Sequence, residues 1–131
     1  MRHGLVAVIL AAASLNLAPA QAAQPKALGF VSTQSLPSLG PAGDGRRKFV
    51  QFQCYLCHGN NGAGQFGPNI QGAGAGDVSD AVRQGVPEAG MPSYGPYASG
   101  ADITNIAAYL SSVGTKGEPK FWNWWQPHPV Q

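Results

Sequence analysis

The sequence predicts a small all-α domain, and three observations carry that prediction. Ile103, Ile106, Ala107, Leu110 and Val113 recur at helical spacing behind a Ser99–Asp102 capping pair. Asp44 to Cys57 reads as a second helix, with Asp44 as its cap and Phe49, Val50, Phe52 and Cys54 on its apolar side. Between them Asp77 to Gln84 reads as a short third helix, with Val78, Ala81 and Val82 facing inward. No strand–helix–strand alternation and no repeat unit is visible. The chain has 131 residues, 44% apolar and 11% charged, with 18 glycines and 11 prolines. That bounds one small domain with extensions at both ends.

In order along the chain, residues 1–23 read as a secretory leader. Arg2 and His3 precede a mostly apolar run from Leu5 to Leu17, which is shorter than the ~20 residues needed to span a bilayer. Ala18-Pro19-Ala20 and Ala20-Gln21-Ala22 offer cleavage sites, with the cut expected just before Ala23 or Gln24. The alternative is an uncleaved anchor. No later segment is apolar enough for a membrane. Residues 24–41 hold Pro25, Gly29, Pro37, Gly40 and Pro41 and are expected to form an extended arm, with one short β segment at Phe30-Val31.

In the helix at 44–57, Arg46, Arg47 and Lys48 fall early, where they oppose the helix dipole. They are expected to form a solvated face. The helix leads into Cys54-Tyr55-Leu56-Cys57-His58, the pattern of a c-type haem attachment site. Two thiols must reach two vinyl groups on one porphyrin edge, and helical positions three apart point the same way. His58 then lies close enough to bind the iron as proximal ligand. A thioredoxin-like dithiol should sit in a βαβ pattern, and none is visible. A structural zinc site needs four ligands. Cys54 and Cys57 are the only cysteines, and His128 is the only other histidine beyond the leader.

Seven glycines lie between Gly59 and Gly76. Gly62-Ala63-Gly64-Gln65-Phe66-Gly67 matches a dinucleotide fingerprint, but no strand precedes it and Pro68 follows where a helix should continue. A tight loop passing close to a flat ligand is the better reading. Gly85 is expected to end the helix at 77–84 in left-handed geometry. The loop from 85 to 98 carries Gly90-Met91-Pro92. Met91 is the one methionine outside the leader, and flanked by glycine and proline it is a poor core filler. Its thioether is expected as the sixth iron ligand, with His128 as the competing candidate. Gly114 stops the last helix. The tail, residues 115–131, places Phe121, Trp122, Trp124 and Trp125 in five consecutive positions.

Over roughly residues 43 to 113 the chain resembles the class I c-type cytochromes of bacteria, the small single-haem kind. Gly45, Phe49 and Cys54-x-x-Cys57-His58 fall at the spacing of that family's first helix. Gly67-Pro68-Asn69-Ile70 is similar to its proximal loop, and Arg83-Gln84-Gly85 with Gly90-Met91-Pro92 to its methionine segment. Ala108-Tyr109-Leu110 is similar to its last helix. The resemblance implies a cytochrome domain over residues 42–114, three to four helices around one covalently bound haem c. It implies that the Pro68 carbonyl accepts the Nδ1 proton of His58, which orients the ring. It also implies that the first and last helices cross near Gly45. A haem plate would complete a thin core by packing Phe49, Phe52, Ile70, Ile106, Tyr109 and Leu110.

With His58 and Met91 both on the iron, no open position remains for substrate, and outer-sphere electron transfer is expected rather than catalysis. Such attachment belongs to the exported side of a membrane, so the leader and the motif support each other. The expected function is a periplasmic electron carrier, taking electrons from a dehydrogenase as partner or subunit and passing them toward a respiratory chain. A haem enzyme or gas sensor with a labile sixth ligand is the alternative from another class, and a structural haem module is the third. Without Arg2, seven of the eight lysines and arginines remain against six acidic residues. Two propionates would leave the holoprotein slightly acidic, which argues against nucleic acid and against strong charge steering. The aromatic tail is therefore expected either to dock on a partner through Trp122, Trp124 and Trp125, the favoured outcome, or to cover its own domain.

Overall fold

The computed structural model describes residues 36–131. The expected leader and most of the expected arm, including the β segment expected at Phe30-Val31, lie outside the described residues. Four helices follow in order: α1 (Gly40–Gln51), α2 (Tyr55–His58), α3 (Ala75–Gln84) and α4 (Gly100–Ser112). Among the described residues the β structure is one isolated antiparallel bridge, Val86 to Met91.

The helix expected at 44–57 is two elements. It starts earlier, at Gly40, because Asp44 does not cap in place. Its carboxylate reaches back to accept from the Leu39 amide at 3.0 Å and the Ser38 hydroxyl at 2.5 Å. It ends earlier because Gln53 takes φ 60°, a left-handed conformation that breaks the helical ladder. The chain restarts at Cys54, so the Cys-x-x-Cys-His motif occupies a turn of its own.

Helices α1 and α4 cross at Gly45. A Cβ there would stand 1.8 Å from the Asn105 carbonyl oxygen and 2.8 Å from Tyr109 Cβ. Only a residue without a side chain permits that approach. The crossing buries Phe49 and Tyr109 completely, their ring centroids 5.2 Å apart, together with Ile103, Ile106 and Leu110. Val78 and Val82 close the core from α3. The Ser99 hydroxyl accepts from the Asp102 amide while the Asp102 carboxylate accepts from the Ser99 amide, the full capping box expected for α4. Lys48 of α1 pairs with Asp102 at 3.2 Å.

The helix expected at 77–84 starts two residues earlier: Gly74 is the cap of α3, and Asp77 lies in its first turn. Gly85 ends α3 with φ 73° and ψ −176°, a region open to glycine but not the left-handed helical one expected.

The arginine run is not a solvated face. Arg46 and Arg47 are 3% and 2% exposed. Arg47 Nη2 donates to the Gln126 and Pro127 carbonyls at 2.9 and 2.8 Å, and Nη1 to the Pro37 carbonyl at 2.6 Å. Arg46 Nε donates to the Phe121 carbonyl at 3.0 Å. The tail therefore folds back over α1. Phe121 is buried, while Trp122 and Trp125 stay 43% and 52% exposed. The favoured expectation put the tail on a partner. Along Phe121 to Pro127 it lies on its own domain instead, because two buried guanidinium groups must find acceptors and the returning backbone supplies them.

Candidate functional site

Cys54, Cys57, His58 and Pro68 come together at the start of α2. Backbone bonds from Cys57 N and His58 N to Cys54 O, at 3.3 and 3.0 Å, close one helical turn. That turn sets both thiols on one side. Cys54 and Cys57 are not joined in a disulfide. Cys57 and Leu56 are exposed, Cys54 is half-buried and His58 is buried.

His58 Nδ1 lies 2.9 Å from the Pro68 carbonyl oxygen. A carbonyl can only accept, so the neutral ring carries its proton on Nδ1 and leaves the Nε2 lone pair free for a metal. The loop that delivers Pro68 is held by Gly64 N to His58 O at 2.8 Å and Gly67 N to Cys57 O at 2.7 Å. A Cβ on Gly67 would come within 3.0 Å of the His58 ring. The glycine that the sequence suggested for a flat ligand thus makes room for the imidazole itself.

Met91 lies on the loop between α3 and α4, half-buried. Its main chain is fixed at both groups: Val86 N donates to Met91 O at 2.9 Å, and Met91 N to Val86 O at 3.1 Å. A Cβ on Gly85 would stand 2.7 Å from the Met91 carbonyl oxygen, so the loop passes where only glycine allows it. Ser93 donates to the Arg83 carbonyl at 2.5 Å, and Tyr94 N donates to Val82 O at 2.8 Å. These bonds tie the loop to α3. His128, the competing ligand, is exposed in the tail.

Sequence reasoning missed Tyr94. Its ring lies 5.7 Å from that of Phe52, two residues before Cys54. Burial raises its hydroxyl above the ordinary value, and any negative charge at Cys54 or Cys57 would raise it further. Tyr94 thus joins the methionine loop to the Cys-x-x-Cys turn. Alternation or helical period could not have signalled it, because it sits in a loop of prolines and glycines.

The donor set fits haem and neither rival. Burial pushes the Cys54 thiol up to about 12. A reactive dithiol needs the opposite, a thiolate stabilised near neutrality. Among the described residues no group of three or more His, Cys, Asp or Glu side chains converges to hold a metal ion, so zinc lacks its remaining ligands. Two thiols and an oriented imidazole on one turn are what covalent haem attachment uses.

No curated protein and no solved structure matches the chain. The family described as cytochrome c oxidase, cbb3-type, subunit III matches residues 40–110, from the first residue of α1 to Leu110 in α4. That span is more than half of the chain, and the protein belongs to this family of c-type cytochrome domains, which carry covalently attached haem c and transfer electrons.

Proposed function

We propose that the protein is an exported single-haem carrier, released from residues 1–23, that accepts electrons from a periplasmic dehydrogenase and passes them toward a respiratory chain. In this reading Cys54 and Cys57 would form the thioethers, His58 and Met91 would bind the iron, and Pro68 orients His58. The observation that carries it is that main-chain groups hold the His58 ring and the backbone of Met91. The Pro68 carbonyl fixes the His58 ring at 2.9 Å, and two backbone bonds fix Met91 to Val86.

Haem c, when attached, supplies one-electron exchange between ferric and ferrous iron. Pro68 raises the basicity of His58 by accepting its Nδ1 proton. Met91 supplies a soft thioether, which favours the ferrous state and suits a carrier that accepts electrons. Two protein ligands leave no position for substrate, so the chain's task is to hold the group and present its edge.

Two measurements test the reading. Haem should stay on the polypeptide in a denaturing gel; its loss with both cysteines intact would sink the attachment assignment. Met91→Ala should turn the ferric protein partly high-spin, let it bind carbon monoxide and lower its midpoint potential. Unchanged spectra and potential would remove Met91 from the iron and make His128 the next candidate. Carbon monoxide binding by the unaltered protein would favour the sensor reading.

A further inference from the structure

Arg46 gathers four parts of the chain around one guanidinium. Nε donates to the Phe121 carbonyl at 3.0 Å, and Nη1 donates to the Tyr109 hydroxyl at 2.8 Å and to the Asn60 carbonyl. Its guanidinium carbon lies 4.6 Å from the centre of the Trp122 ring. Trp122 in turn meets the Tyr55 ring edge-on, 5.1 Å between centroids at 86°. Tyr55 lies between the two cysteines, and Asn60 follows His58 by two residues. The pair Arg46–Trp122 therefore brackets the Cys54–His58 turn at both ends. Trp122 also lies beyond residues 40–110, the part matched by the family, so this contact is made by the chain's own extension.

We propose that Trp122 is a positioning residue for the haem-attachment turn, through which the C-terminal tail holds Tyr55 and limits how far water reaches the Cys54 side of the haem. The proposal rests on Cys54 to His58 being the attachment turn. Its physical basis is the fixing of Trp122 on two sides: the Phe121 carbonyl is bonded, and the indole face is covered by a cation. A ring so held presents a fixed edge to Tyr55. Tyr55 follows Cys54 directly, so its motion is the motion of the turn. Exclusion of water from a haem edge disfavours the extra charge of the ferric state and raises the potential.

The test uses the full chain with haem attached. Amide hydrogen exchange is followed at Leu56, His58 and Gly59, whose N–H groups bond within the turn to Gln53, Cys54 and Tyr55. In Trp122→Ala these amides should exchange about tenfold faster, for the loss of one aromatic pair and one cation–π contact, and the midpoint potential should fall. Trp122→Phe, which restores an aromatic edge and face, should recover both. Trp125→Ala, whose ring contact is with Trp124, should leave both unchanged. If Trp122→Ala matches Trp125→Ala in either exchange or potential, the proposal is overturned, even where the melting temperature drops. Haem lost on denaturation, with the exchange effect intact, would instead sink the attachment reading and leave the Trp122–Tyr55 contact standing.

Discussion

At Gly45 a methyl group would meet the Asn105 carbonyl oxygen at 1.8 Å, a backbone atom that cannot step aside. Gly45→Ala must push α1 off α4, and should cost about 3 kcal/mol or more in denaturant unfolding. Gly85→Ala acts at the site instead. Its φ of 73° and the Met91 carbonyl at 2.7 Å leave no room for Cβ, so the methionine loop must shift. The expected readout is a high-spin fraction and carbon monoxide binding, as for Met91→Ala, with far-ultraviolet helicity kept. The two glycines differ in how readily the sequence showed them. Gly45 was visible through the spacing it shares with a known helix pair. Gly85 was read as an ordinary helix stop, because what constrains it is a neighbouring backbone rather than any side chain. The Cys54–His58 motif was legible for the opposite reason: its chemistry is written in side-chain identity. Tyr94 was not, since its partner Phe52 lies far back in the chain.

The helices show which local signals can be trusted. The α4 cap was legible because a capping box is a local pattern of two side chains three residues apart. Burial works to raise the Asp102 carboxyl, but the Ser99 hydroxyl and amide, with Lys48, outweigh it and hold the carboxyl below its ordinary value. A group lowered on folding stabilises above its ordinary value, and that contribution disappears as pH falls through the folded value. Asp102→Ala should therefore cost about 1 kcal/mol near neutral pH and progressively less in acid, seen in denaturant titrations at several pH values. The start and end of α1 were misread because both depend on single conformations: Asp44 reaching back to Leu39, and Gln53 at φ 60°. Period and composition do not encode either.

At the scale of the whole molecule the tail belongs to the domain it leaves. Deleting residues 119–131 strips three carbonyl acceptors from two buried arginines. The cost should be on the order of 3 kcal/mol, a fall in melting temperature of roughly 10 °C or more. An unchanged melting temperature would mean that the tail is free to serve a partner. The charges of Arg46 and Arg47 were plain in the sequence, but their burial was not, because three of their partners are main-chain atoms some 75 to 80 positions away. Those acceptors have a further consequence. Every residue type carries a carbonyl, so at Gln126 and Pro127 Arg47 grips the path of the tail and not its letters, whereas Phe121 and Trp122 are also held by their side chains. Substitutions at Gln126 keep the carbonyl that Arg47 uses, so drift there can change the residue while this part of the strap persists. A relative could keep that end of the strap with no residue shared at position 126 to show it.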